Sequence, residues 1–245
     1  MFELDLVYIV FALLIFLQSI AGVGVLVVGT PAMLLMEFRM IEILNILLPI
    51  SIMTSFLNLI IIKLSYSRNK INIDKEFNIL FFLVCVPSIF IGLVILRNFE
   101  SFIKFEYLVS GVILFSVIIT NFKFYVTKIS QKFKIGYLFL TGIIHGITNS
   151  GGSLLSLLIS SQKNKENSRY NITFFYFFLA SFQYLIFINI FEINFFSFDL
   201  FKLFFIFFAS VILGNVISKF LNNNYFRILI NVLSLLSCFF LVTKS

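Results

Sequence analysis

Eight apolar runs separated by short polar stretches account for most of the chain, at residues 6–36, 41–62, 77–96, 105–119, 135–159, 172–191, 198–217 and 225–242. A bilayer core is about 30 Å thick and takes about 20 helical residues to cross, so six of these runs read as membrane-spanning helices. The other two are broken. The 31 residues of 6–36 would be about 46 Å long as one straight helix, too long for a simple span. Gly22 and Gly24 divide them into 6–20 and 25–36, with Gly29 and Pro31 in the second piece. The run 135–159 carries His145, Thr148, Asn149 and Ser150 in its middle, followed by Gly151 and Gly152, a pair that helix interiors disfavour. Lipid satisfies no loose backbone N–H or C=O, so a break at that depth must be buried in protein or face a wet cavity. Each broken run therefore predicts two short helices joined as a hairpin. In the second, the glycine pair opens a half-helix over 153–160 whose first N–H groups are unpaired and carry the positive end of its dipole. Such an end suits a small anion.

The runs repeat. Gln18, Ser19 and Gly24 stand 127 positions before His145, Gly146 and Gly151, Ser55-Phe56 stands 126 before Ser181-Phe182, and Gly92 with Arg97 stands 122 before Gly214 with Lys219. Offsets that drift in one direction are what a duplication with small deletions leaves. The predicted layout is residues 1–122 as a first repeat, 123–134 as a basic cytoplasmic linker and 135–245 as a second repeat. Paired broken segments in transporter halves mark a binding site near the membrane midplane.

Charge then selects a topology. If all eight runs cross, the basic residues divide ten to eight between the two faces; if the two broken runs enter and leave on one side, they divide thirteen to five. The positive-inside rule selects the second arrangement. It leaves three crossings per half, an odd number, so the halves are predicted to be inverted and both termini to lie outside. The fold class expected is an all-α polytopic membrane protein of two homologous, inverted halves. Each half is a glycine-broken helical hairpin followed by three transmembrane helices.

Composition supports this and excludes other classes. Hydrophobic residues make up 60% of the chain, charged residues 12%, and mean hydropathy is +1.09. The net charge of +7 sits in short clusters between apolar runs, not on one basic face, so nucleic acid is not an expected partner. Met1-Phe2-Glu3-Leu4-Asp5 lacks the basic start of a cleaved signal peptide, and the N-terminus is expected to be retained. Cys85 and Cys238 lie in separate apolar runs without ligand spacing, which indicates neither a disulfide framework nor a metal site. One histidine and two distant cysteines make no zinc cluster, and no pair of intramembrane carboxylates offers acid and base. An enzyme, a cofactor and a metal are therefore not expected.

The segment Gly22-Val23-Gly24-Val25-Leu26-Val27-Val28-Gly29-Thr30-Pro31 resembles the first of the paired glycine motifs of the TauE/SafE sulfite-exporter family, and His145-Gly146-Ile147-Thr148-Asn149-Ser150-Gly151-Gly152-Ser153-Leu154-Leu155 resembles the second more closely. In the first copy Val25 and Leu26 stand where further glycines are usual. The resemblance implies a plasma-membrane permease, here of a bacterial inner membrane, for small and mostly sulfur-containing anions such as sulfite or sulfonates.

The expected substrate-binding residues are His145, Thr148, Asn149, Ser150, Gly151 and Gly152 in the second broken run, and Gln18, Ser19, Gly22 and Gly24 in the first. His145 is the only histidine and the only ionisable side chain well inside any of the predicted apolar runs, away from their ends. Intramembrane polar groups are functional by default. Two roles for His145 stay open, a neutral ring bonded to a carbonyl, or a group that donates to the anion or titrates. Ser51, Thr54, Ser55 and Asn58 share one helical face and are expected to point into protein. The expected function is a small-anion permease or exporter, with a non-transporting scaffold or an anion channel as alternatives. Expected partners are the small anion and the lipid bilayer; a homo-oligomer stays open.

Overall fold

The computed structural model describes residues 2–22, 25–65, 73, 75–121, 133–159, 165–192, 199–220, 235, 239 and 241–243. Gly24, most of the basic linker and most of the last apolar run lie outside the described residues. Among these residues every regular element is a helix: α1 (Phe2–Ala21), α2 (Val25–Leu35), α3 (Met40–Ser65), α4 (Lys75–Phe99), α5 (Phe105–Asn121), α6 (Lys134–Thr148), α7 (Gly151–Ile159), α8 (Lys165–Ile190) and α9 (Leu200–Phe220). Four of them, α3, α4, α8 and α9, are long and apolar enough to cross a membrane. Large apolar side chains such as Leu83, Phe90, Phe204, Phe205 and Leu213 are exposed. That is the outward face expected of a multi-pass membrane protein.

Helices α3 and α8 pack across each other, with the Phe56 and Phe177 rings 6.1 Å apart between centroids on the outer side of the contact, where Phe56 is exposed. Each helix is buried along a stripe at helical spacing. On α3 the stripe includes Leu44, Leu47, Ser51, Thr54, Ser55, Asn58 and Ile62, all buried, so the polar face read from the sequence does point into protein. On α8 the stripe is Arg169, Thr173, Tyr176, Ala180, Gln183 and Phe187, spaced four, three, four, three, four. That rhythm keeps them on one side of a 3.6-residue helix. The helix begins at Lys165, seven residues before the apolar run that announced it.

Around this crossing, α4 packs along α6 and α9 along α1. Two glycines permit those approaches. A Cβ on Gly92 would strike the Ile143 carbonyl and Gly146 on α6, and one on Gly214 would fall 2.7 Å from the Phe16 carbonyl oxygen and 2.6 Å from Ser19 Cβ on α1. Phe16 and Ser19 stand 127 positions before Ile143 and Gly146. The contact that α4 makes with α6 is thus the one that α9 makes with α1. Without a hydrophobic drive between helices in lipid, such close packing is what holds them together.

Within α4, residues Phe81–Cys85 are wound as a π-helix, with the Val86 N–H reaching back five residues to the Phe81 carbonyl. Pro87, two residues past this segment, has no N–H to give to the turn below. The wider turn takes up that mismatch.

Candidate functional site

The chain reverses between α6 and α7. Helix α6 ends at Thr148, and Asn149 takes up the left-handed conformation (φ 62°) while its N–H caps the His145 carbonyl at 2.8 Å. Asparagine is one of the few residues that tolerate this geometry. The turn is then held by its own hydroxyls. Thr148 donates to the Ile144 carbonyl (2.7 Å) and accepts from the Ser150 N–H (3.2 Å), and Ser150 Oγ donates to the Thr148 carbonyl (3.1 Å). Thr148 and Ser150, both expected to bind, shape the turn in this structure. Helix α7 starts at Gly151, two residues earlier than expected, so both glycines belong to its first turn. It runs back along α6. A Cβ on Gly151 would fall 2.6 Å from His145 Cβ, and Tyr137 Oη donates to the Leu154 carbonyl at 2.9 Å.

Two residues outside the expected binding set, Tyr176 and Gln183, complete this break. The Tyr176 ring lies directly over Gly152, so that a Cβ there would sit 2.5 Å from Tyr176 Cζ and 2.6 Å from its hydroxyl. Only glycine lets α7 approach α8 this closely. Gln183 Nε2 donates to the His145 carbonyl at 2.9 Å, and the His145 and Tyr176 rings stand edge to face, 6.4 Å between centroids. Around them lie buried polar atoms with no hydrogen-bond partner: both nitrogens of His145, both side-chain atoms of Asn149, the hydroxyls of Thr141 and Tyr176, and Gln183 Oε1. Each buried polar group left in this state costs about 1–3 kcal/mol. So dense a set calls for an explanation.

The break between α1 and α2 has the same backbone and the opposite economy. Gly22, 127 positions before Asn149, is also left-handed (φ 78°), and its N–H caps the Gln18 carbonyl at 2.7 Å. Helix α2 likewise returns along α1, since a Cβ on Gly29 would fall 2.9 Å from Leu14 Cδ1. Gln18 stands where the second break has His145, and it is fully engaged. Its amide donates to Ser55 Oγ (2.8 Å) and the Ser51 carbonyl (3.1 Å), and its Oε1 accepts from the Val25 N–H (3.1 Å). The N-terminus of α2 is therefore already occupied by an internal acceptor.

This first break also holds a buried cation. The charge tally of the sequence reading counts Arg169 among the charges between apolar runs. The structure corrects that placement. Arg169 lies in the first turns of α8, is 8% exposed, and is the only Lys or Arg that is buried among the described residues. Its guanidinium donates to the Ser19 carbonyl and to Asn215 Oδ1 (2.8 Å), Asn215 Nδ2 donates to Asn58 Oδ1 (2.7 Å), and Asn58 reaches Ser19 Oγ at 3.5 Å. Positive charge thus faces the carbonyl end of α1, where the dipole is negative. The signal available in the sequence was spacing, because Arg169 continues the Thr173, Tyr176, Ala180 stripe one turn back.

The two breaks converge on α8. Thr173 Oγ1 lies 2.6 Å from the Cβ position of Gly22, and Tyr176 covers Gly152. Three helical residues, about 4.5 Å of rise, separate those contacts. Of the expected residues, Ser19, Gly22, His145 and Gly152 thereby each meet a residue of this one helix. A separate cavity of about 570 Å³ opens where α2 and α4 end, lined in part by Glu37, Arg39, Glu100 and Glu106. None of the residues at either break lines it. Among the described residues no group of three or more His, Cys, Asp or Glu is placed to hold a metal ion.

Comparison with known families gives a match over nearly the whole chain. The profile described as sulfite exporter TauE/SafE covers residues 7–241. Comparison with curated proteins and with solved structures gave no match.

Proposed function

Because the chain belongs to the sulfite exporter TauE/SafE family, a family of membrane transporters and not of enzymes, we propose that it carries a small anion, sulfite, a sulfonate or a related sulfur-containing or organic anion, between its two helix breaks. The observation that carries this reading is the set of buried, unpartnered polar atoms on His145, Asn149, Tyr176 and Gln183 beside the first turn of α7. An anion that enters hydrocarbon loses its hydration, at a cost of several kcal/mol. Converging donors and a helix N-terminus replace it. Asn149, His145 and Tyr176 serve as side-chain donors, Gly151 and Gly152 allow the backbone to come close, and Thr148 and Ser150 hold the turn. Arg169 offsets the anion's charge from the side of the first break, where Gln18, Ser19 and Gly22 form the opposing wall.

The architecture proposed with it is a pair of inverted repeats, 1–122 and 135–245, joined by a cytoplasmic linker at 123–134. Its support is the exchange of Gly92 on α6 for Gly214 on α1, and of left-handed Gly22 for left-handed Asn149. Each break is the tip of a re-entrant hairpin, as the return of α2 along α1 and of α7 along α6 supports. Taking the buried Arg169 off the cytoplasmic tally leaves the basic excess of that face in place, with both termini outside a bacterial inner membrane.

One observation favours a packed, non-transporting scaffold instead, namely the contact of Tyr176 with Gly152. In the transporter reading that contact is the closed state, and Tyr176 must move for substrate to pass. A scaffold would gain stability by satisfying the orphaned atoms or replacing them with apolar ones. Uptake by proteoliposomes offered sulfite, thiosulfate, sulfonates and small carboxylates separates the two. Saturable uptake of at least one anion supports the carrier, and none in the whole panel supports the scaffold.

A further inference from the structure

The orphaned atoms at the second break include acceptors as well as donors, and this bears on the chemistry of what binds there. Gln183 is the decisive residue. Its Nε2 is committed to the His145 carbonyl, which fixes the amide so that Oε1, buried and without a partner, is an acceptor. Asn149 presents one donor and one acceptor whichever way its amide is turned, with neither atom partnered. The Tyr176 hydroxyl can donate or accept, and the Thr141 hydroxyl is likewise buried and without a partner. A His145 ring gives one donor and one acceptor when neutral and two donors when charged; Gln183 Oε1 has no such freedom. A fully deprotonated oxyanion only accepts hydrogen bonds. Placed here it would leave Gln183 Oε1 buried, unpaired and facing negative charge, which a site avoids.

Resting on the reading of this break as the anion site, we propose that it selects a monoanion that carries its own O–H or N–H donor, with Gln183 Oε1 accepting that hydrogen while Asn149, Tyr176 and His145 donate to the anion's oxygens. Gln183 and Tyr176 are then specificity-determining residues. A site built to hydrogen-bond a substrate's hydroxyl rejects the analogue that lacks it far better than an apolar pocket rejects an extra methyl group. Hydrogensulfite and methanesulfinate form a matched pair for this purpose. They share charge and outline, and a methyl group in the second takes the place of the hydroxyl in the first. Glycolate and propionate form a second pair.

The experiment is competition against uptake of radiolabelled sulfite by proteoliposomes containing the full chain, at mildly acidic pH where the hydrogen-bearing monoanion is abundant. The unlabelled hydroxyl-bearing member of each pair is expected to compete at least about tenfold better than its methyl analogue. In Gln183→Met, which keeps the side-chain volume, the ratio should fall to within about threefold, because the acceptor is gone, and the sulfite uptake against which it is read should be slower than in the wild type. If that variant does not fold, the ratio in the wild-type protein alone decides. Equal competition by methanesulfinate and hydrogensulfite overturns the donor requirement and leaves the anion-permease reading standing. If no anion of the uptake panel is transported, the permease reading falls and this inference falls with it; transport of methanesulfonate without sulfite or glycolate overturns the donor requirement alone.

Discussion

Tyr176 lies over Gly152 with no room for a methyl group between them. The side chain that a substitution at 152 would meet is the ring that closes the second break, so a change here acts on the contact itself. Gly152→Ala should lower transport at least about tenfold, given that overpacking costs about 1–3 kcal/mol, while the protein still reaches the membrane. Gly152→Leu should abolish transport. Adding Tyr176→Ala to Gly152→Ala removes the clash and should raise the melting temperature above that of the single variant without restoring uptake. Thermal unfolding in detergent and proteoliposome uptake, measured on the same preparations, check both halves of this expectation.

Arg169 joins α8 to the end of α1 and to Asn215 on α9. Hydrogen bonds from a charged group are worth about 1.5–3 kcal/mol each. Arg169→Gln should therefore lower both stability and transport, whereas Arg169→Lys keeps the charge, loses the planar fork and should recover part of the transport. If Arg169→Gln transports at the wild-type rate in folded protein, the cation serves only packing.

The two breaks should respond differently to loss of their corresponding side chains. Gln18→Leu discards the bonds to Ser51, Ser55 and Val25 and should destabilise the fold by about 1–3 kcal/mol. His145→Gln discards no side-chain bond seen in the structure, so its melting temperature should stay close to that of the wild type. Its transport should fall by less than about tenfold if the ring only donates a hydrogen bond, a difference of up to about 1.4 kcal/mol. A flattened pH profile in His145→Gln would instead assign the ring a proton that comes and goes during transport.

Sidedness tests the re-entrant arrangement. In a background with Cys85 and Cys238 replaced, single cysteines at Ser67 and Ser161 should both be labelled from the cytoplasmic face. Labelling from opposite faces would mean that 135–159 crosses the membrane.

The apolar helices and the polar interruption ahead of Gly151 were legible because they rest on hydropathy and on glycine, which report directly on the backbone. That Gly22 and Asn149 both take the left-handed conformation was not, since two unlike side chains serve such a turn. Arg169 was hidden by the polar sequence 163–171, where composition resembles a loop although the helical spacing continues through it. Tyr176 sits in the aromatic run Phe174-Phe175-Tyr176-Phe177-Phe178, and nothing in that run distinguishes the one ring that covers Gly152. Thr148 and Ser150 look like ligands in sequence, but short hydroxyl side chains readily satisfy a turn's own backbone.

The most direct measurement is sulfite uptake by proteoliposomes containing wild-type protein, Asn149→Ala or Gly152→Leu, at matched amounts of folded protein. Asn149→Ala removes one donor and one acceptor at the second break without adding bulk, and Gly152→Leu fills the space that Tyr176 occupies. Saturable uptake by the wild type, a loss of at least about tenfold in Asn149→Ala (about 1.4 kcal/mol) and no uptake in Gly152→Leu are the predicted results. Wild-type rates in both variants would contradict the placement of the anion's path at the second break.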